Sequence, residues 1–318
     1  MNKLSEDQLN SYKKDGVVFV KNAISNLWLD KLADGIEESI KHKSLTGKII
    51  SGKDNGGFSG DIDLWYKQDV FYDFFLNSPC SEYAEQVLNS QVVRHFYDQT
   101  FVKPAGCHLA TPWHHDITFW PVDLKKNNIC SIWITLDQVT KETSGLEFIK
   151  GSHLWDSYWK SYAPGSDALV NKSHKDLPDI DSLRSSHEFF SPEMQPGDAL
   201  IFNAHIVHGS SSNLSLDKPR RAFTSRWCDD QTVFEDRIKT KPITASHNLK
   251  NGDFLSGPLF PQVRPNVIES ELSLRNRGPI KLSKSKFLKD RIFKDLAGFF
   301  SFKNLINLRS VSYTHLRA

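Results

Sequence analysis

The chain of 318 residues carries 40 Lys and Arg against 38 Asp and Glu, a formal net charge of +2. Its 39% hydrophobic and 25% charged residues are typical of a soluble globular protein that can bury a large core. So small a net charge gives no reason to expect a nucleic-acid partner. No stretch approaches the ~20 apolar residues of a membrane helix, so we expect no membrane span.

The positive charge is concentrated at the C-terminal end. Residues 279–318 contain nine Lys and Arg but two Asp, a balance of +7 that leaves −5 for the rest of the chain. We predict a single domain over residues 1–268 and a basic extension over residues 269–318. The extension is interpreted as a solvated helix, with a membrane- or partner-binding amphipathic helix as the alternative. Its last residues, SVSYTHLRA, resemble non-native sequence.

The cysteines and the N-terminus indicate a compartment. Cys80, Cys107, Cys130 and Cys228 are scattered without CxxC or zinc spacing, which favours reduced thiols. The opening MNKLSEDQLN lacks a basic segment followed by an apolar run, so no secretory signal is expected. Both features predict a cytoplasmic protein.

The first ninety residues have mainly helical patterns. Ser5, followed three residues later by Gln8, predicts the capped start of a short helix. An apolar stripe from Leu27 to Ile40 predicts an amphipathic helix. The complete prediction is helices over 5–14, 24–43, 69–77 and 80–88, a strand over 16–20, and a Gly-rich loop over 47–61.

From Val92 onward, short stretches rich in Val, Ile, Phe, Trp and Thr predict strands. The five are VVRHFYDQTFVKP, NICSIWITLDQV, LEFIKG, DALIFNAHIVHG and RRAFTSRWC. Helices followed by closely spaced strands favour a mainly β protein, a β-barrel or a jelly roll, with helices packed outside it. Residues 154–190 have no strand pattern and are predicted to cover or line a site, with disorder as the alternative. Residues 257–265 are predicted to be extended.

The segment TPWHHDITFW, residues 111–120, carries the first candidate ligands. We predict that it is a strand, which would direct His114 and Asp116 to one face and His115 to the other. With a second histidine from elsewhere, this pair would complete a 2-His-1-carboxylate triad, which binds Fe(II) and leaves three coordination positions open.

The second histidine and an anion-binding group follow later in the chain. His205 and His208 are three residues apart, so in a strand they would face opposite sides and only one could belong to the site. Arg220 and Arg221 begin another strand. An inward-facing arginine in a barrel needs an anionic partner, which a dicarboxylate would provide through a bidentate contact.

Taken in order, WHxD, GDALIF, HGS, Asn213 and RRA resemble the phytanoyl-CoA dioxygenase family of Fe(II)/2-oxoglutarate-dependent oxygenases. FVKP before the first motif, Trp133 and SGLEFIKGSH fit the same pattern, and the resemblance covers roughly residues 10–265. It implies a double-stranded β-helix, the cupin-like jelly roll, with Fe(II) bound by His114, Asp116 and His208.

The resemblance also implies where the co-substrates 2-oxoglutarate and O₂ would bind. The distal carboxylate of 2-oxoglutarate would bind Arg220 and Ser210, with Trp133 and Gln99 close to it. The spacing from His208 to Arg220 is about one residue longer than in the family's namesake, so Arg221 is the alternative. His115 stands where the family commonly has Gln.

The resemblance predicts hydroxylation of an aliphatic C–H bond of a small molecule, with release of succinate and CO₂. Related halogenases have a small residue in place of Asp116, so the carboxylate favours hydroxylation. Two alternatives stay open: desaturation, cyclisation or epimerisation at the same iron site, and a non-catalytic β-barrel binding protein. Fold does not choose the substrate, and the oligomeric state is not predicted.

Overall fold

Two antiparallel sheets face each other, and helices cover the outer side of the larger one. The computed structural model describes residues 2–44, 46–47, 51, 57–160, 174–237, 240–241, 243, 245 and 247–277. Most of the predicted loop over 47–61, residues 161–173 of the insert, and the extension beyond residue 277 lie outside the described residues. The predictions made for those parts therefore stay predictions.

The described α-helices closely match the predicted ones. The first helix starts at the predicted cap, where Ser5 Oγ accepts from the backbone N–H of Gln8 and Gln8 Oε1 accepts from the N–H of Ser5. Gly16 follows its last residue as the C-terminal cap, with a φ of 80° that is favourable for glycine. The helices are α1 (Glu6–Asp15), α2 (Asn26–Lys41), α3 (Asp69–Asn77) and α4 (Cys80–Leu88).

Among the described residues, the larger sheet has seven strands. Along it lie, in spatial order, β1 (Val17–Val20), β8 (Ala199–Asn203), β5 (Ile129–Thr135), β10 (Arg220–Cys228), β3 (Val93–Lys103) and β11 (Gln262–Arg264). The seventh strand, β2 (Ser59–Ile62), also pairs with β3. Part of β2 falls where a loop was predicted, and that part of the prediction was wrong. The Gly-rich segment forms a strand there because the backbone of β3 supplies hydrogen-bond partners for it.

The described part of the smaller sheet has four short strands, in the order β4 (Thr111–His114), β9 (His208–Ser210), β6 (Leu146–Ile149) and β7 (Phe189–Phe190). Two predictions are corrected here. The strand predicted over 111–120 stops at His114, and Asp116–Phe119 form a 3₁₀ turn. The segment DALIFNAHIVHG is two strands, β8 in the larger sheet and β9 in the smaller one, joined by a turn.

Apolar side chains fill both sides of the larger sheet. On the inner side, Trp133, Leu200 and Phe202 pack against Leu146 and Phe148 of the smaller sheet. On the outer side the sheet packs against the helices. Two facing antiparallel sheets closed in this way form a double-stranded β-helix, and the predicted fold class is confirmed.

Phe223 packs on the outer side of β10 against the helix α3. It is 1% exposed and stacks on Phe71 while meeting Phe74 edge-on, each at 5.1 Å between ring centroids. We expect Phe223→Ala to lower the free energy of unfolding by about 3–5 kcal/mol, because it leaves a cavity between sheet and helix. Urea unfolding would measure this. Leu216→Ala, at a side chain 91% exposed, is the control and should change little.

The described end of the chain packs on the domain. Residues Glu269–Arg277 form 3₁₀ turns that bury Leu272 and Leu274, and Glu271 pairs with Arg94 at 2.9 Å. The domain boundary near residue 268 stays a prediction. The four cysteines are buried and free, in keeping with reduced thiols. None of the described helices combines the length and apolar character required to cross a membrane.

Candidate metal centre

His114, Asp116 and His208 meet between the two sheets. One potential ligand atom from each lies within 4.8 Å of those of the other two. The pairing of β4 with β9 explains the meeting, since His114 lies directly opposite His208 in the register. Their ring centroids are 4.3 Å apart. Asp116 Oδ1 lies 3.5 Å from His114 Nε2.

Backbone carbonyls orient both imidazoles. His114 Nδ1 lies 2.8 Å from the carbonyl oxygen of Pro112, and His208 Nδ1 lies 3.0 Å from that of Ile206. A carbonyl only accepts, so each Nδ1 carries a proton and donates. Nε2 of each ring is then the atom that would bind a metal.

The 3₁₀ turn after β4 places the carboxylate. The backbone N–H of Ile117 donates to the carbonyl of Ala204 at 3.0 Å. Arg237 Nη2 donates to the carbonyls of Ile117 and Trp120 at 3.2 and 2.7 Å. These contacts hold Asp116 beside the histidines in a 3₁₀ turn. The prediction that one strand places His114 and Asp116 on the same face was wrong in its geometry, although the two side chains do meet.

The surroundings of Asp116 and His208 favour the metal-binding forms of these two side chains. Burial opposes ionisation of Asp116, but the hydrogen bond from His114 and the charge of Arg226 outweigh it, so the pKa of Asp116 lies below its ordinary value. Burial, with His114 nearby, lowers the pKa of His208 to about 4. A carboxylate and neutral imidazoles are a donor set that suits Fe(II), and three protein ligands leave positions open.

Two other histidines stand close to the triad but outside it. His115 Nε2 accepts from the backbone N–H of Trp159 at 3.0 Å, so the start of the insert packs beside the site. His205 lies in the turn between β8 and β9, with Nε2 3.1 Å from Asn127 Oδ1. Of the pair that the sequence left open, the structure therefore brings His208 to the triad and not His205.

The two neighbouring arginines of β10 point to opposite sides. Arg220 is 2% exposed and faces the interior, with its guanidinium carbon 5.7 Å from the Trp133 ring centroid. Its Nε has no hydrogen-bond partner in the structure. Arg221 lies on the outer side, where Nη2 pairs with Asp137 at 2.8 Å. This arrangement favours Arg220 as the carboxylate anchor.

The other predicted co-substrate residues line the same interior. Gln99 of β3 and Trp133 of β5 both lie opposite Thr224 of β10, on the face that also carries Arg220. Ser210 of β9 is 7% exposed, two residues beyond His208. The assignment of these residues to 2-oxoglutarate stays a prediction.

Sequence reasoning missed three buried polar residues on the same inner face: Lys103, Thr224 and Arg226. Thr224 Oγ1 has no hydrogen-bond partner, and neither do Nε and Nη1 of Arg226. Arg226 Nε lies 3.7 Å from Asp116 Oδ2. Counting by twos along β10 from Arg220 would have found Thr224 and Arg226, and the FVKP motif contains Lys103.

Facing sheets with a His-Asp-His triad between them define the class of jelly-roll iron oxygenases. The chain belongs to the phytanoyl-CoA dioxygenase (PhyH) family, whose sequence profile matches residues 12–222. A probable phytanoyl-CoA dioxygenase of Caenorhabditis elegans is 27% identical over 243 residues, 71% of this chain and 76% of that protein. An ectoine dioxygenase of Sphingopyxis alaskensis is 22% identical over 219 residues, 67% and 68% of the two chains.

Solved structures share the fold at low sequence identity. The α-ketoglutarate-dependent carbocyclase SnoK from nogalamycin biosynthesis superimposes with a TM-score of 0.66 at 20% identity, covering 82% of this chain and 97% of SnoK. The S. alaskensis protein EctD, solved with 2-oxoglutarate and 5-hydroxyectoine, gives 0.61 at 17% identity over 75% and 82% of the chains.

The predicted cofactors, Fe(II), 2-oxoglutarate and O₂, are those of this family, and the described triad supplies the matching donor set. The unpartnered Nε of buried Arg220 fits a bound carboxylate in the same interior. The residues present therefore fit both groups.

Proposed function

We propose that this protein is an Fe(II)/2-oxoglutarate-dependent dioxygenase that hydroxylates an aliphatic C–H bond of a small molecule. The reaction combines substrate, 2-oxoglutarate and O₂ into the alcohol, succinate and CO₂, with one oxygen atom entering the alcohol and one entering succinate. The observation that supports this most is the meeting of His114, Asp116 and His208 in an interior that also contains buried Arg220.

Each part of the interior has its own role in this proposal. His114, Asp116 and His208 would hold Fe(II), which supplies the activation of O₂ when bound. Arg220 and Ser210 would bind the distal carboxylate of 2-oxoglutarate and so fix its orientation. Trp133 and Gln99 would line the co-substrate's carbon chain.

The substrate would approach the metal from the other end of β10. Arg226 lies six residues from Arg220, ~20 Å along the strand, and contacts Asp116. Its guanidinium carbon lies 4.3 Å from the Tyr97 ring centroid and 5.7 Å from that of Trp120. These aromatic rings would hold the substrate and keep water from the reacting carbon.

We expect that protein reconstituted with Fe(II) and ascorbate, screened with 2-oxoglutarate and ¹⁸O₂, gives a product heavier than its substrate by one ¹⁸O. Succinate should form in equal amount. Mass spectrometry of both products measures this. If no candidate substrate raised succinate formation and 2-oxoglutarate were not consumed at all, the non-catalytic binding protein would be the better interpretation.

Desaturation, cyclisation or epimerisation at the same iron site is the second candidate function. SnoK and the epimerase SnoN share the fold with TM-scores of 0.66, and their names describe ring formation and epimerisation. A product that has lost two hydrogens would identify desaturation or cyclisation, and a product with its substrate's mass would identify epimerisation, in each case with succinate still formed.

We further propose a cytoplasmic location.

A further inference from the structure

Arg237 binds the backbone of the turn that carries Asp116. Its Nη2 donates to the carbonyls of Ile117 and Trp120 at 3.2 and 2.7 Å, and its Nε donates to the carbonyl of Val122 at 3.2 Å. The three carbonyls belong to residues one, four and six positions after Asp116. One guanidinium therefore spans the turn, and its rigid planar fork constrains the spacing of these carbonyls.

The turn has little in its own sequence to hold this conformation. It is a 3₁₀ turn of four residues, Asp116–Phe119, and 3₁₀ hydrogen bonds have poorer geometry than those of an α-helix. Ile117, Thr118 and Phe119 are residue types that favour an extended strand. The conformation of the turn therefore depends on contacts with distant parts of the chain.

The carboxylate of Asp116 is held only loosely by its own side-chain contacts. Its Oδ2 lies 3.5 Å from Ser131 Oγ and 3.7 Å from Arg226 Nε, and its Oδ1 lies 3.5 Å from His114 Nε2. Each of these described contacts is long for a hydrogen bond. The position of the carboxylate is therefore set mainly by the backbone that Arg237 binds.

Arg237 and the residues after it are well fixed in the domain. The side chain of Arg237 is 11% exposed, so its hydrogen bonds are shielded from water. Lys241, four residues later, donates its backbone N–H to the carbonyl of Phe119. The Nζ of Lys241 also donates to both carboxylate oxygens of Asp63, at 3.0 and 3.1 Å. The turn is thus bound from one side by two residues of the same segment.

We propose that Arg237 is a positioning residue of the metal centre, which keeps the Asp116 carboxylate in the place of a metal ligand by fixing the backbone of the turn. This inference rests on the proposed function, because it takes Asp116 as a ligand. Arg237 acts on the metal through Asp116. Its effect on metal binding should therefore disappear when Asp116 is replaced.

The test is titration of the metal-free protein with Co(II), whose visible absorption changes with the number and arrangement of its ligands. We expect Arg237→Met to alter this absorption and to weaken Co(II) binding by about 10- to 100-fold, the range found when an outer partner of a metal ligand is removed. In protein that already carries Asp116→Ala, Arg237→Met should weaken Co(II) binding little further, because the side chain through which it acts is absent.

Arg94→Met is the matched control for a purely structural loss. The side chain of Arg94 is 10% exposed, and its Nη1 donates to the carbonyl of Phe260 at 3.1 Å and to Glu271 at 2.9 Å, where β3 pairs with β11. Urea unfolding should show lower stability in both methionine variants, whereas Co(II) affinity and absorption should change only with Arg237→Met. If Arg237→Met does not fold, Arg237→Gln, which keeps one donor amide, takes its place.

The outcomes separate this inference from the proposed function. If the wild type bound neither Co(II) nor Fe(II), the metal centre and the proposed function would both fail. If the wild type bound Co(II), and the folded variant at position 237 bound it with the same affinity and absorption, the role of Arg237 would be wrong while the oxygenase proposal stood. An equal weakening by Arg237→Met with and without Asp116 would also contradict the inference.

Discussion

Asp116→Ala is expected to abolish 2-oxoglutarate-dependent turnover. The substitution removes the one anionic donor of the triad and leaves His114 and His208 alone. Removal of even an outer hydrogen-bond partner of a metal ligand lowers affinity or activity ~10- to 100-fold, so the loss of a ligand should exceed ~100-fold. Iron content after reconstitution and the rate of succinate formation measure the effect.

His205→Ala is the matched control for that experiment. His205 lies near the triad, but its ring contacts Asn127 and not the metal-binding atoms, so the variant should keep most of the wild-type rate. Turnover by Asp116→Ala at the wild-type rate would refute the ligand assignment. A complete loss of turnover in His205→Ala would show instead that substitutions near the triad abolish activity even when they remove no ligand.

Arg220→Met should weaken 2-oxoglutarate binding by about 100-fold. The methionine keeps the apolar stem but removes the guanidinium, and truncating one partner of a buried charge pair costs ~2–5 kcal/mol. Anaerobic titration of the Fe(II) protein with 2-oxoglutarate would give the dissociation constant. Triad occupancy should be unchanged, because Arg220 does not contact the metal ligands.

Arg221→Met distinguishes the two arginines. Arg221 donates to Asp137 on the outer side of the sheet, so its loss should affect stability slightly and 2-oxoglutarate binding little. A large increase in the dissociation constant with Arg221→Met, and none with Arg220→Met, would exchange their assignments.

Local sequence signals predicted the helices and most strands well. The capping box of Ser5 and Gln8 and the apolar stripe of α2 depend on neighbours three or four residues away, which sequence displays directly. The triad residues could be named because their order along the chain is characteristic of a family.

Tertiary contacts decided what local patterns could not. Ile117, Thr118 and Phe119 favour a strand by composition, yet the hydrogen bond from Ile117 to Ala204 and the contacts of Arg237 fold them into a 3₁₀ turn. His205 and His208 were treated as neighbours on one strand, but the chain passes from one sheet to the other between them.

The buried cations needed strand register. Lys103 meets Arg220 only because β3 and β10 pair antiparallel in one particular alignment, with residues more than a hundred positions apart brought opposite each other. A shift of one residue would move either side chain to the outer face. Sequence spacing alone carries no information about that alignment.

The pairing of β4 with β9 also sets when a metal can be captured. His114 and His208 are far apart in the chain, and each belongs to a strand of four residues or fewer. Long-range pairing of such short strands comes late in folding, because the intervening loop must close first. A nascent chain that ends before β9 therefore holds two of its three proposed iron ligands, and we expect metal loading to follow the pairing of β9.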